Sequence, residues 1–507
     1  MLSAAEPAKA AQAYERHPGA ASGPLPWSYR RREPERSILY ETVRTHWNTL
    51  LAEVAQRTDG GSLPGFVIAE FERYLSCGIL ANGFARVHCD ACGKDLLVAF
   101  SCRGRGFCPS CTTRRMQGTA IHLVDRVIPN VPVRQWVLSL PRWARFLLAR
   151  DPALITRTLD LFLREIFKSH RRRAGVRASR PGAISFVQRF GSAINLNVHF
   201  HSCIPDGVFV REQGAVRFET LPAPSDDEVK GILEKSVERV GKLLRPRLDA
   251  ARDDTRTPDA LASAQADSVA ALAGKPRAAI VAKKHAAYLE GFSLHAGVHL
   301  HANDREGLAR LCGYGARPAL SLDRLSELPD GRLAIRLKRP LADGRQELQL
   351  EPVELLRRLA TLVPPPRAHV TRFHGVFGPA SKLRAEIVPA PIVSPHEHRG
   401  LAPTRAAPPE PYDAAPLAEP SKTRRPDAKI PWAELLQRVF REDVLACPCG
   451  GRRRVLAFIT ERAVVKAILE HLGLPTTAPP IAPARSTAPP DLAPWQDDVP
   501  TLQQTLR

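Results

Sequence analysis

Apolar positions along this chain switch between a helical period and strict alternation, and the switches mark out its elements. Ile38, Val43, Trp47, Leu50 and Leu51 recur at helical spacing, so Ser37–Gln56 is expected to be a helix, with a second over Leu63–Leu75. Pro129 and Pro132 interrupt the chain before a short alternating strand, Arg134–Leu140. Over Pro152–Arg171, Leu154, Ile155, Leu159, Phe162, Leu163, Ile166 and Phe167 form one helical stripe. Two strands, Ala183–Phe190 and Ala193–Ile204, meet at Gly191-Ser192 and read as an antiparallel hairpin. Further on come a small hairpin (Val208–Val210 with Val216–Phe218), a helix over Asp226–Asp249, and a loop or loose helix over Arg252–Gly274. A strand at Gly291–His301 then precedes a helix at Asn303–Tyr314, capped by Asn303 or Asp304 with Glu306 in its first turn.

One alternating run carries chemistry. In Ile194–His201 the residues Ile194, Leu196, Val198 and Phe200 point one way, and Asn195, Asn197, His199 and His201 the other. Two imidazoles at i and i+2 lie about 7 Å apart along a strand, close enough to converge on one metal ion. A buried structural role is the alternative for such histidines. A second pair, His299-x-His301, ends a strand before a polar turn, where loop exposure is the simpler expectation. Two imidazoles and one more polar ligand would leave open positions on Mg²⁺ or Mn²⁺, from which a phosphate can be polarised.

Ten cysteines are clustered, six of them between Cys77 and Cys111, which suits metal binding in a reducing compartment better than a disulfide lattice. Cys89-x2-Cys92 and Cys108-x2-Cys111 are separated by fifteen residues, the spacing of two knuckles closing one tetrahedral structural Zn²⁺ site. Cys77, His88 and Cys102 are near enough to replace a ligand or complete a second site. Arg103, Arg105, Arg114 and Arg115 surround the knuckles and are candidate DNA contacts, a solvated face being the plainer reading. Cys447-Pro-Cys449 is half a site with a gap shorter than a standard knuckle, so a tight turn beside Arg452–Arg454 is expected.

Charge points the same way. Seventy-three Lys and Arg against 52 Asp and Glu give the 507-residue chain a formal charge of +21, which favours a polyanionic partner. No signal peptide or apolar membrane-spanning run is evident, so a cytoplasmic, nucleoid-associated protein with no membrane partner is expected. Composition suggests a disordered arm at 1–35, a cysteine-bearing domain at 36–128 and a main domain at 129–390. A Pro-rich linker follows at 391–430, with eleven prolines from Pro389 to Pro431, then a small helical and basic module at 431–475 and a disordered tail at 476–507.

A nucleophile candidate lies in Leu311-Cys-Gly-Tyr-Gly-Ala-Arg-Pro318. Tyr314 would end a helix, with Arg317 three residues on to pair with a phosphate oxygen. Packing alone would equally account for Tyr314.

With these residues in view, the chain resembles the rolling-circle HUH transposases of bacterial insertion sequences that carry an N-terminal zinc-binding domain. The resemblance runs from about Leu39 to Pro391 and again over the C-terminal segment. Its most specific stretches are Cys89–Met116, Gln188–His201, Leu311–Pro318 and Arg372–Pro389. It implies an α+β fold: an HUH nuclease core with a central antiparallel sheet and flanking helices, preceded by a small zinc-binding domain. It also implies that His199 and His201 bind the catalytic divalent ion and that Tyr314 cuts DNA, leaving a 5′-phosphotyrosine. Better-known members have two tyrosines four residues apart; Arg310 stands at the earlier position here, which places the chain with a single-tyrosine subgroup. Gln188 and His295 are the candidates for a third ligand, and Asn197 and Arg317 for holding the scissile phosphate. The implied substrate is DNA, as a single strand or hairpin at the element ends, and self-association is compatible with the role. A plasmid replication initiator or relaxase would use the same parts; a non-enzymatic zinc-dependent DNA-binding regulator would use only the cysteines and arginines.

Overall fold

The computed structural model describes residues 32–253, 260–270, 284–338, 340, 344–389, 435 and 443–485. The arm, except for residues 32–35, and the linker expected at 391–430 lie outside them. The N-terminal part contains α1 (Ile38–Arg57), α2 (Gly65–Ser76), β1 (Phe84–Cys89), β2 (Asp95–Ala99) and α3 (Pro109–Arg126). Next come β3 (Val133–Ser139), α4 (Arg142–Arg150), α5 (Pro152–Ala174), β4 (Gly182–Phe190), β5 (Leu196–Pro205), β6 (Gly207–Glu212), β7 (Ala215–Thr220), α6 (Asp226–Asp253) and α7 (Ala260–Ala270). The remainder of the main domain is β8 (Ala286–Leu289), β9 (Phe292–Leu300), α8 (Arg305–Gly315), β10 (Leu325–Glu327), β11 (Leu333–Arg336), β12 (Glu347–Leu350), α9 (Pro352–Leu362), β13 (Thr371–Gly375) and α10 (Arg384–Ile387). β14 (Arg453–Ile459) and α11 (Arg462–His471) close the described chain.

Local chemistry sets several boundaries. Ser37 caps α1 by accepting from the Tyr40 N–H, and Asp151 caps α5 through the Ala153 and Leu154 N–H groups, with Pro152 at the first helical position. α5 ends at Gly175 in the left-handed conformation. Asp304, rather than Asn303, caps α8 by accepting from Gly307 N–H at 2.7 Å.

The centre of the molecule is a six-stranded sheet in the order β13-β4-β5-β3-β9-β8, antiparallel at every junction. Helices cover both faces. Trp136, Leu138, Leu196, Val198, Phe200 and Ile204 join the large core with α4, α5, α6 and α9. Ile184, Phe186 and Cys203 face the other way, into a smaller core with Leu123 and Val124 of α3 and Leu308 and Cys312 of α8. This is a mixed α+β architecture, with an antiparallel sheet between helices and an N-terminal cysteine-bearing part.

That N-terminal part is not a free-standing bead. Trp47 and Phe71 stack at 4.2 Å between ring centroids, and with Phe107 they share one continuous core with Leu355 and Leu359 of α9. Arg305, opening α8, donates to the carbonyls of Ile128 at 2.9 Å and Pro129 at 3.1 Å, and also to that of Val124, so the end of α3 is tied to the start of α8. The C-terminal segment, expected as a module of its own, instead adds β14 to β1 and β2, giving a three-stranded sheet in the order β14-β1-β2. Residues 476–485, expected within a disordered tail, run along α1, where Arg44 donates to Pro480 O at 2.9 Å and Asn48 to Ala482 O at 2.8 Å. Among the described residues no helix is long and apolar enough to cross a membrane.

Candidate active site

Within β5, which starts at Leu196 rather than Ala193, the polar stripe lies as alternation predicts, while Asn195, expected on it, precedes the strand. Asn197, His199 and His201 share the face that carries Cys203 into the smaller core, and their neighbours Val198 and Phe200 are wholly buried in the larger one. The imidazole centroids of His199 and His201 are 5.0 Å apart. Across the sheet, Gln188 of β4 stands directly opposite His199, and Phe186 opposite His201. Directly opposed residues of an antiparallel pair share a face, so Gln188 belongs to the same polar patch.

α8 brings the tyrosine to this patch. Its last residue, Gly315, lies against β4, and a Cβ there would come within 2.4 Å of the Phe186 ring. Glycine thus allows the helix end to touch the sheet. Gln188 Nε2 donates to the carbonyls of Tyr314 at 2.8 Å and Gly315 at 3.0 Å, satisfying acceptors that a helix C-terminus leaves open. The Tyr314 ring then sits 5.6 Å from that of His201, edge to face, and is 40% exposed, so the phenol is open to solvent.

Positive charge gathers around that phenol. The Arg317 guanidinium lies 4.8 Å from the centroids of both the Tyr314 and Phe190 rings, and its buried Nε has no protein partner. Lys338, just past β11, places its ammonium 5.7 Å from the Tyr314 ring. Partial desolvation, with Arg317 and Arg324 nearby, pushes the ammonium of the otherwise exposed Lys338 down to about 8. Burial also lowers His199, to about 4, and His201 well below the ordinary imidazole value, with Arg317 adding to both. Both rings are therefore neutral at pH 7, each with a lone pair on one ring nitrogen.

The donor set of the patch fits a divalent cation. Gln188 Oε1 and Asn197 Oδ1 are buried acceptors and His201 Nε2 a buried ring nitrogen, none with a protein partner, an arrangement that costs free energy unless something fills it; His201 Nδ1 meets Gln135 Nε2 at 3.2 Å. His199 Nδ1 donates to Asn197 O at 2.8 Å, which fixes its tautomer with Nε2 as the acceptor. His295 is placed differently. It opposes Val137 of β3, which opposes His201, so it stands two strand spacings, about 10 Å, away, and its Nε2 meets Tyr288 Oη at 3.1 Å. The second pair, His299 and His301, belongs to a cleft with Arg134, Asp206 and His285; His299 Nε2 lies 3.4 Å from Asp206. Among the described residues no carboxylate completes a metal-sized cluster with His199 and His201.

Three further contributors were not visible in the sequence. Arg324 and Arg358 donate to the carbonyls of Ser192 at 2.9 Å and Ala193 at 3.1 Å, holding the loop that enters β5. In that loop Ile194 has φ 56°, a left-handed conformation costly for a β-branched residue. Lys338 is the third. All three come from the segment after α8, where no local motif announces them.

The cysteines group differently from the expected tetrad. Cys108 and Cys111 lie with Cys77 and Cys102, while Cys89 and Cys92 lie with Cys447 and Cys449; within each group the sulfurs are within 4.8 Å of one another. The reason is chain geometry. Cys108 caps α3 and Cys111 sits in its first turn, beside Cys77 at the end of α2, whereas Cys89 ends β1 and is carried toward the strand that pairs with it, β14. In the first group Sγ separations are 3.4 Å (Cys102–Cys111), 3.6 Å (Cys77–Cys108) and 3.7 Å (Cys77–Cys111). Four thiolates at about 2.3 Å from one zinc ion have their sulfurs about 3.8 Å apart, so the group fits zinc. N–H groups of Cys102 and Gly104 donate to its sulfurs at 3.3 Å, and Arg32 approaches Cys77 Sγ at 3.4 Å.

The arginines expected to grip DNA divide. Arg105 donates to Ala368 O, and Arg115 to the carbonyls of Arg103 at 3.2 Å and Gly104 at 3.3 Å. These two brace the cysteine loop, while Arg103 and Arg114 are exposed beside it.

Two family models match the chain. The Y2_Tnp model, described as "Putative transposase", matches residues 182–384, and the Zn_Tnp_IS91 model, described as "Transposase zinc-binding domain", matches residues 42–140. The second match runs through β3, a central strand of the six-stranded sheet, so the matched segments interlock in space. No curated protein and no solved structure matches the chain. Together the two family matches run from the first cysteine group to the tyrosine helix and mark the chain as a transposase with an N-terminal zinc-binding domain, consistent with the IS91 family.

Proposed function

We propose that this transposase cuts and rejoins single-stranded DNA at the ends of its insertion sequence, with Tyr314 as the nucleophile. The observation that carries the reading is the Tyr314 ring 5.6 Å from His201, on a face where Gln188 Oε1, Asn197 Oδ1 and His201 Nε2 are all unpartnered. His199, His201 and Gln188 would hold Mg²⁺ or Mn²⁺; Gln188 is preferred to His295 because it directly opposes His199. The bound ion would supply Lewis-acid polarisation of the scissile phosphate.

The remaining chemistry falls to the chain. Arg317 and Lys338 attract the phosphodiester to the open side of Tyr314 and offset the charge that builds as the bond to phosphorus forms. The phenol oxygen bonds to phosphorus and gives its proton to solvent, while the P–O3′ bond breaks and the departing oxygen takes a proton from solvent, giving a 5′-phosphotyrosine and a free 3′-OH with no net change in protons. Reversal by another 3′-OH rejoins the strand with the phosphodiester energy retained. Arg310 stands where a second tyrosine would be, and it pairs with Glu306 at 3.7 Å. One chain therefore carries one covalent end at a time, and an exchange needing two ends held together calls for two chains. Exposed Arg103 and Arg114 beside the first cysteine group would steady flanking DNA, single-stranded or hairpin. Free thiols suit a reducing setting, which supports a cytoplasmic activity on nucleoid DNA.

The test uses an oligonucleotide spanning an element end, incubated with Mn²⁺ and the full chain. A covalent protein–DNA band that survives denaturation and is missing with Tyr314→Phe is expected. Equal cleavage by the Tyr314→Phe protein would overturn the assignment. Binding without any cleavage by the wild type would favour a regulator.

A further inference from the structure

We propose that Cys89, Cys92, Cys447 and Cys449 hold a second zinc ion, shared between the N-terminal domain and the C-terminal segment, and that this ion fastens residues 443–485 onto the domain. Neither family match reaches Cys447 or Cys449.

The sulfurs are already arranged for it. Cys89 Sγ lies 3.6 Å from Cys449 Sγ, and Cys92 Sγ 3.7 Å from Cys447 Sγ, against about 3.8 Å for a tetrahedral zinc tetrathiolate. All four cysteines are free thiols.

The short Cys447-Pro-Cys449 spacing is a true knuckle. In the first turn Gly93 has φ 70°, its N–H donates to Cys89 O at 2.8 Å, and Cys89 N–H donates to Lys94 O at 3.0 Å. The second turn repeats this with one residue fewer: Gly450 has φ 85°, its N–H donates to Cys447 O at 2.9 Å, and Cys447 N–H donates to Gly451 O at 2.9 Å. Glycine is needed at both left-handed positions. Gly451 meets a second constraint, because a Cβ there would lie 2.7 Å from Ala91 Cβ, 3.1 Å from Cys89 Sγ and 3.4 Å from Cys449 Sγ. Any larger residue would press into the thiol cluster. Four thiolates around one Zn²⁺ leave net negative charge, and Arg452, Arg453 and Arg454 follow directly.

The ion would join residues 360 apart in sequence, with β14 paired to β1 and Val465 and Leu469 of α11 packed on Leu80 and Phe84. That core is small, so the metal would be a substantial fastener beside the β14–β1 pairing and the hydrogen bonds of Pro480 and Ala482 to α1. Exposure separates the two sites: Cys449 is open to solvent, while Cys77, Cys108 and Cys111 of the first group are buried. The second ion should exchange faster.

In full-length protein stripped of metal and titrated with Co²⁺, the thiolate-to-cobalt charge-transfer absorption, to which an ion on the histidine face adds nothing, should saturate at two equivalents, and every count is read from that band. Cys447→Ser with Cys449→Ser should saturate at one. Cys449→His should still take two, with half the signal shifted to a mixed sulfur–nitrogen spectrum, which separates ligand loss from misfolding. In the zinc form, a chelator should remove one ion at least tenfold faster than the other and open Arg452–Arg454 to trypsin as it leaves. Saturation of the wild type at one equivalent, or two equivalents retained by the double serine variant, would overturn the second site. Trypsin resistance unchanged after loss of the fast ion would overturn its fastening role.

Discussion

The β5 face and the cysteine groups are both polar clusters on an apolar scaffold, yet they are assembled by different rules. On β5 the residues that act together lie at i and i+2 on one strand, and Gln188 joins them from the next strand across. In the second cysteine group the partners are 360 residues apart and meet because β14 adds to the edge of β1. A face inherits its membership from the pleat, whereas a tetrahedron inherits it from whichever turns the topology brings together. The first is therefore tolerant of changes elsewhere, and the second is itself part of what holds the elements in place.

The sharpest way to break the comparison is to remove ligands from each. Cys108→Ser with Cys111→Ser takes away half of the first thiol group, and both cysteines belong to the same core as Trp47, Phe71 and Phe107. A structural zinc site is worth on the order of 10 kcal/mol, comparable with the whole stability of a domain. The variant should lose protected amides throughout α1 and α2 in hydrogen exchange. Wild-type protection there would remove the metal from the stability of the fold. His201→Ala, by contrast, should melt within a few degrees of wild type yet lose roughly 10²–10³ in cleavage rate, the several kcal/mol a catalytic ion supplies. Single-strand affinity should change by less than about threefold. If the His201 variant instead unfolds with activity per folded molecule intact, the face is structural after all.

How much of this was legible in the sequence follows the same division. From Leu196 to His201 the alternation gave the split of side chains that the structure shows, because period two is a property of the strand alone; Ile194, left-handed at φ 56°, and Asn195 precede the strand and fall outside that pattern. The cap of α8 was legible as Asn303 or Asp304, and Asp304 supplies it. The helix over residues 260–270 falls where a loop or loose helix was the expectation. By contrast, the expected tetrad Cys89, Cys92, Cys108 and Cys111 was drawn from linear spacing, and spacing says nothing of β1 carrying Cys89 away from α3. The one-residue gap of Cys447-Pro-Cys449 argued against a knuckle, but Gly450 and Gly451 close the same turn one residue sooner. β10 to β12, which bring Arg324 and Lys338 to the tyrosine, have strands of three or four residues, too short for periodicity to register.

A subtler probe tests whether the face depends on the position of α8. Gly315→Ala places a methyl group 2.4 Å from the Phe186 ring, so helix and sheet must separate. Overpacking of this kind costs about 1–3 kcal/mol, and it also lengthens both Gln188 hydrogen bonds to the end of α8. Cleavage should fall about 10- to 100-fold with metal affinity at the histidines little changed, because a misplacement near 1 Å suffices for such a loss. A stability loss with full cleavage by the folded fraction would show that Gly315 only packs.

The smallest effect expected belongs to Lys338, and it is read best through pH. Its folded value of about 8 lies below the ordinary 10.5 because it is partly desolvated beside Arg317 and Arg324. The unfolded chain therefore holds a proton that the folded chain has shed between these two values. This group's contribution to stability rises with pH across that window, and its penalty is fully present below about 8. Function runs the opposite way: below about 8 the ammonium is charged and can meet a phosphate beside Tyr314, and above it that contact fades. Single-strand affinity of the wild type should therefore decline by a few-fold as pH passes 8, with no such step in Lys338→Ala. At pH 7 the same variant should show a salt dependence shallower by about 0.7 in log–log slope, the share of one phosphate contact on a single strand. A variant with the wild-type step and slope would mean that Lys338 faces solvent without touching DNA, and the positive charge at the tyrosine would then rest on Arg317 alone.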